Sequence, residues 1–552
     1  MSEPRPSADL VLTGGRVLTM GAVTSTAEAV AVRGGRIVAI GSVADIERLR
    51  GSRTRRIDLA GRTLVPSFQD AHVHPVMAGI NLTRCPLHDL PAKALVYLDT
   101  IKAYAAGHPE LSWIIGDGWY MEAFPGGTPT RQALDAIVPD RPAYFVNRDG
   151  HGAWVNSNAL QVAGIDRNTP DPAGGRIERD DQGEATGTLH EGALELIRRV
   201  IPPTTTEDLA RGLALAQAHL HRYGVTAWQD AWVTAEDFAA YCLLAGRGGL
   251  TGRAIACHWW DREKGGEQID DFIERRRTGN IGRLRSSTVK IMQDGVAENY
   301  TAAMLHPYLD EEGRQTSNRG LSFVDPELLK MHVARLDQEG FQVHIHALGD
   351  RAVRESLNAI EAARVTNGPS HGRHHLAHLQ IVDPADYGRF RELNVTANIQ
   401  PYWACHDAQM DDLTLPYLPP RRAALQYPFR ALEEAGARLA GGSDWTISTP
   451  NVMAEIEVAV TRISAEHRDA KPFQLGQALE LDSALRAFTI GSAWVNHLDL
   501  DTGTIEVGKL ADLAVLDRDI IGPDAGLLGD VRVLLTLIEG AAVHEDPALE
   551  RP

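Results

Sequence analysis

Eight short apolar runs recur through the middle of the chain, separated by segments that carry the apolar repeat of helices: "TLVPSFQDAHVH", "GVTAWQDAW", "GRAIACHWW", "STVKIMQDG", "FQVHIHALG", "HHLAHLQIV", "NVTANIQ" and "ARLAGGSDW". The intervening helical patterns, such as "TEDLARGLALAQAHLHRYG" and "DPELLKMHVARLDQEG", each stop at a glycine, the residue best able to end a helix. Strand, helix, strand in repetition covers both faces of a parallel sheet. Eight strands is the number that closes a (β/α)8 barrel. The chain is therefore predicted to be α/β, with a TIM-like barrel over residues 65–495.

Both ends read differently. From Asp9 to Leu64, short apolar stretches alternate with Gly-Gly and Gly-Arg turns, and the same texture returns in "GTIEVGKLADLAVLDRD" and "VRVLLTLIEGAAVHE". Residues 1–64 and 496–552 are thus expected to pair into one small flanking β-sandwich. The stretch from Cys85 to Val200 is too long for a βα connection. It is expected to form an inserted subdomain, residues 85–200, over the barrel mouth.

Composition excludes several classes. Hydrophobic residues at 43% and charged residues at 23% describe a globular chain rather than a disordered or fibrous one. A net charge of −18 argues against nucleic acid as a partner, and "RTRR" and "ERRR" lack the aromatic neighbours of a base-stacking surface. Four scattered cysteines show no C-x-x-C spacing, which points to neither a thiolate zinc site nor a disulfide framework. With no apolar leader at the first residues and no run of about 20 apolar residues, the expectation is a cytoplasmic protein that acts on a small molecule without a membrane partner. A homodimer is among the expected states, since closed homo-oligomers are common.

The chemistry concentrates at the strand ends. In "SFQDAHVHP", Asp70, His72 and His74 stand two residues apart and so share one face of a strand. Neutral imidazole is the commonest protein donor to zinc and similar ions, so His72 and His74 read as a ligand pair. Four further strands end in Lys290, His346, His378 and Asp444. Barrel enzymes keep their active sites where strand ends converge. A protonated Lys290 could not ligate a cation, because an ammonium offers no lone pair; carbamylated by carbon dioxide, it becomes a carboxylate able to bridge two.

Taken in this order, His72-x-His74, Lys290, His346, His378 and Asp444 resemble the amidohydrolase superfamily. The segments "GDGWYMEAFPGGTPTRQALDAIVPDRPAYFVNRDGHGAWVNSNAL" and "VKIMQDGVAENYTAAMLHPYLD" are similar to its YtcJ-like branch, amidohydrolase family 3, and "FQDAHVHP" with "MQDGVAENYTAAM" resembles N-substituted formamide deformylases. The resemblance implies one or two divalent ions, zinc foremost. His72, His74 and Asp444 would hold the first, His346 and His378 the second, and carbamylated Lys290 would bridge them. Asp444 would also be the general base. The implied reaction is hydrolysis of a linear amide C–N bond, an N-substituted formamide giving formate and an amine. Other N-acyl, carbamate or cyclic amide substrates, or a barrel that only binds a small molecule, are the alternatives. Two departures stand out: Ser67 replaces a turn glycine, and "HLAH" replaces "IEH" before His378. In the insertion, His151 is a candidate donor to the substrate's oxyanion, and Trp119, Tyr120, Phe124 and Trp154 are candidates for an apolar pocket wall. Asp294, Glu298 and Asn299 are candidates for substrate contact or support of the ligands.

Overall fold

Every one of the eight runs contributes a strand to a single parallel sheet: β1 (Phe68–Val73), β2 (Val225–Val233), β3 (Arg253–Trp259), β4 (Leu284–Met292), β5 (Gln342–Ala347), β6 (His375–His378), β7 (Thr396–Ile399) and β8 (Arg438–Gly441). The structure, a computed structural model, describes residues 7–550 except 24, 88–89, 149–150, 173 and 523–525. Neighbouring strands pair in chain order from β1 to β8. Beyond the ladder the ring closes at its C-terminal rim, where Asp444 N donates to His72 O at 2.7 Å and His74 N donates to Trp445 O at 2.7 Å. Strands β1, β5, β6 and β7 are buried along their whole length, as expected of a parallel sheet covered on both faces.

Helices follow the strands with the end signals the sequence carries. Pro326–Gln338 begins with Pro at its first turn after Asp325, whose carboxylate accepts from Glu327 N and Leu328 N. It is followed by Gly340 at φ 77°, a conformation that costs glycine nothing. The buried side of Asp350–Asn367 packs Val353, Leu357 and Ile360 inward.

One predicted strand divides in two. Thr63–Pro66 pairs with Leu513–Leu516 and Leu10–Leu18 in the flanking sheet, and the barrel starts only at Phe68. The break falls at Ser67, whose N–H donates to Asp512 O and whose hydroxyl lies 2.6 Å from that of Thr226. A buried serine with those partners occupies the place of the turn glycine.

The two chain ends share one eight-stranded sheet. Its order is Ala541–Glu545, Val533–Ile538, Leu513–Leu516, Thr63–Pro66, Leu10–Leu18, Thr26–Arg33, Arg36–Gly41, with Arg55–Asp58 also on Leu10–Leu18. Leu12, Val30, Ile57, Leu64, Val515 and Leu535 form its core. Arg253, at the start of β3, ties the barrel to this sheet through ion pairs with Asp512 and, at 2.7 Å, Glu539.

The insertion is a compact unit from Met77 to Leu215. It is wider than residues 85–200 because Gly79 and Gly212 bring Pro75–Leu82 and the start of Thr206–Arg222 into backbone contact, which any Cβ would obstruct. Its own six-stranded sheet runs Gly175–Arg179, Ala185–Glu191, Gly152–Val155, Ala143–Asn147, Ile114–Trp119, Cys85–Pro86. Among the described residues no helix is long and apolar enough to cross a membrane.

Candidate metal centre

His72 is the penultimate residue of β1 and His74 follows the strand, and both side chains meet the Asp444 carboxylate delivered by the turn after β8. His74 Nε2 lies 2.9 Å and His72 Nε2 3.4 Å from Asp444 Oδ1. These three residues offer ligand atoms that all lie within 4.8 Å of one another, and all three are buried. The approach depends on Gly442: a Cβ there would stand 2.7 Å from His72 Cβ. Asp70 turns elsewhere. Its carboxylate accepts from Ser443 N, Ser443 Oγ and His72 N, pinning the β8 turn to β1. Burial lifts the Asp70 carboxyl to about 7 against the lowering effect of those donors.

Lys290, two residues before the end of β4, places Nζ 3.4 Å from His72 Nε2. Burial pulls its ammonium down to about 8, against the favourable field of Asp444. His378 Nδ1 faces Asp444 Oδ2 at 3.9 Å, and the His346 and His378 rings stand 4.4 Å apart. Burial, followed by neighbouring positive charges, pushes His72 and His378 well below the usual imidazole range and His346 down to about 3. These imidazoles are thus neutral, the form that donates a lone pair to a metal. His74 Nδ1 and His378 Nδ1 are buried without a hydrogen-bond partner among the described residues. Buried polar atoms are normally satisfied, so the orphan His378 Nδ1 facing the Asp444 carboxylate fits a site built for an ion. The backbone is strained at the same place: His378 has φ 79°, Leu379 φ 50° and Asp444 φ 54°. Non-glycine residues in this region cluster at functional sites.

Asp294 accepts from Ala303 N, Leu348 N and Gly349 N, and so knots the loop after β4 to the end of β5. It lies 3.7 Å from His346, and burial raises its carboxyl to about 7. Glu298 accepts from Gln409 Nε2 at 2.6 Å, and Asn299 is exposed. The remaining candidates lie in the unit Met77–Leu215. There Trp119 and Trp154 are fully buried, donating to Phe145 O and Thr130 O, with Phe124 edge-on to both and Tyr120 packed at the margin of that core. His151 is exposed, its Nδ1 3.1 Å from both oxygens of Glu191; the Gly150 turn expected before it lies outside the described residues.

Three features of the site went unread in the sequence. His344, two residues before His346, places Nε2 2.9 Å from His72 Nδ1; the alternation that singled out His72 and His74 holds equally in "VHIH". Trp403 stacks on His378 with centroids 5.6 Å apart, and Gln400 accepts from His378 N. Trp232 and Trp259, at the ends of β2 and β3, stack at 3.9 Å; "DAW" and "HWW" at strand ends were the available signal.

A closed parallel barrel whose strand ends gather neutral imidazoles around a buried carboxylate defines a hydrolase that works with a divalent metal. The chain belongs to the amidohydrolase family, whose model matches residues 55–544, and is a metal-dependent amidohydrolase. It is similar to YtcJ of Bacillus subtilis, 30% identical over 96% of this chain and 98% of that one. It is also similar to the N-substituted formamide deformylase of Arthrobacter pascens, 28% identical over 97% of this chain and 98% of that one. Among solved structures, an uncharacterized metal-dependent hydrolase from Pyrococcus furiosus matches with a TM-score of 0.72 at 25% identity, covering 93% of this chain and 100% of the other.

Proposed function

We propose that the enzyme hydrolyses N-substituted formamides to formate and an amine, with Asp444 as general base. The observation that carries this reading is the Asp444 carboxylate, buried and 2.9 and 3.4 Å from the nitrogens of His74 and His72. The similarity to the Arthrobacter deformylase supports the formyl substrate. Zinc suits two imidazole nitrogens and a carboxylate oxygen, and His346 with His378 would hold a second ion. Lys290 is the proposed bridge. Burial brings its neutral amine within reach near neutral pH, and that amine adds to carbon dioxide with loss of a proton, giving a carbamate.

A divalent cation at this site supplies Lewis acidity, lowering the pKa of water and polarising the carbonyl oxygen. Asp444 takes the proton of the attacking water and delivers it to the departing nitrogen, so that RNH–CHO and H2O become RNH2 and HCOOH. A cavity of about 160 Å³ adjoins the ligand-bearing loops, lined by Val296, Leu348, Trp403, Met410, Tyr427 and Ile447 among others. Glu298, Gln380, Asp407, Gln409 and Thr414 share its wall, so its apolar residues would take the substituent on nitrogen beside polar and acidic groups.

The test is formate release from N-alkyl and N-benzyl formamides, with matched acetamides, by protein supplied with zinc and bicarbonate. Turnover of the formamides alone supports the proposal. Equal turnover of the acetamides replaces it with a general N-acyl hydrolase, and no turnover by metal-loaded protein discards the formamide assignment.

A further inference from the structure

Beneath His72 the barrel interior holds a line of buried polar side chains, among them Gln229, Cys257 and His344. Its direction can be read from its lower end. Gln229 Nε2 lies 3.0 Å from Val495 O and 2.9 Å from Gln342 Oε1. A backbone carbonyl only accepts, so this end of the amide is the NH2 and Gln229 Oε1 is the acceptor. Two groups approach that oxygen at 3.2 Å: His375 Nε2 and Cys257 Sγ. His375 must donate from Nε2, because its Nδ1 receives Asn398 Nδ2, whose orientation the Ala71 carbonyl sets. The Cys257 thiol donates its single proton to Gln229 Oε1 at 3.2 Å, nearer than Ile255 O at 3.9 Å, and its sulfur is left to accept, from Thr288 among others. The next nitrogen along, His344 Nδ1, lies 3.9 Å from that sulfur. A neutral His344 that donates from Nδ1 presents a lone pair at Nε2, which faces His72 Nδ1 at 2.9 Å.

We propose that the line Gln229, Cys257, His344 fixes His72 as its Nδ1–H tautomer, so that His344 and Cys257 are positioning residues that keep the Nε2 lone pair of His72 turned toward Asp444 and Lys290. This rests on His72 being a metal ligand, as proposed above. Imidazole ligands are commonly held by such a partner on their other nitrogen, and losing it typically costs 10- to 100-fold in metal affinity. Here the partner is itself a neutral acceptor, so the tautomer of one ligand is set by an amide and a carbonyl at the far end of the barrel.

The experiment is nitrogen NMR of the histidine rings in wild-type protein, zinc-loaded and after chelation, with His72 assigned through His72→Gln. The expected result is an Nδ1–H on His72 in both states and an Nε2 resonance that moves when zinc is removed. A proton on Nε2 in the chelated protein overturns the tautomer proposal. An Nε2 resonance indifferent to zinc overturns the ligand assignment instead. In parallel, zinc affinity is measured by chelator competition: His344→Phe, which offers no acceptor, is expected to weaken it 10- to 100-fold, and His344→Gln, whose amide oxygen can accept, to recover most of the loss. Wild-type affinity in a folded His344→Phe protein would overturn the positioning role.

Discussion

Replacing Asp444 with Asn separates its proton chemistry from its structural duties. The residue sits at φ 54°, in the left-handed region, with its N–H on the His72 carbonyl. Asn is among the few side chains that visit this region readily, so Asp444→Asn keeps the turn, whereas Asp444→Ala adds roughly 1–2 kcal/mol of backbone cost. The amide can still offer an oxygen to His74, now 2.9 Å away, but it cannot take a proton. Loss of a positioned general base lowers the rate about 10²- to 10⁴-fold, equivalent to about 3–5 kcal/mol in the barrier. The assay pairs steady-state turnover of a formamide with elemental analysis of the same preparation and a thermal melt. The expected outcome is a kcat at least 100-fold below wild type in protein that melts normally and retains zinc. A kcat within about threefold of wild type would refute Asp444 as the base, and a collapse in metal content with the rate per bound ion unchanged would make it a ligand alone.

Three further outcomes follow from the same geometry. Lys290→Ala should remove at least one metal ion per chain, read by elemental analysis; unchanged metal content would rule out the carbamate bridge. Arg253→Met strands Asp512, almost wholly buried, without its ion-pair partner. Breaking one side of a buried pair typically costs about 3–5 kcal/mol, to be read from urea unfolding, and a change below about 1 kcal/mol would show that the link between barrel and flanking sheet carries little. His258 is buried against Phe272 and Ser286, and burial pushes its imidazole down to about 3. Its unfolded form takes up a proton near pH 6.5 and its folded form does not. The stability this group confers is therefore complete above pH 6.5 and is lost as the pH falls toward 3, at up to about 1.4 kcal/mol per unit. His258→Gln should flatten the acid limb of stability against pH by about one proton, and an unchanged slope would contradict the burial argument.

Much of the centre was legible before any coordinates. Residues two apart in a strand share a face, and barrel strands aim their C-terminal ends at one mouth, so the local pattern made candidates of His72, His74, Lys290, His346, His378 and Asp444, and of Asp70 beside them. The eight strands were legible for a similar reason: buried parallel strands read as apolar runs, and a glycine marks the end of the helices between them. What local pattern cannot give is the partner of each group. Asp70 has the same spacing as His72 and His74, yet it is taken up by Ser443, 373 residues away. Likewise His344 is one more histidine in the string until the barrel closes and sets it 2.9 Å from His72, across 272 residues. Thr63–Pro66 reads as the opening of a barrel strand, and joins the flanking sheet only because Leu513–Leu516 is there to receive it. The sequence by itself determined the elements, their order and the chemical kinds of the candidate ligands, because these depend on period and side-chain type. The tertiary structure alone decided which groups meet, because contacts between distant strands exist only once the ring has closed, and burial within that ring is what holds the His72, His346 and His378 imidazoles below their usual range and draws the Lys290 ammonium down.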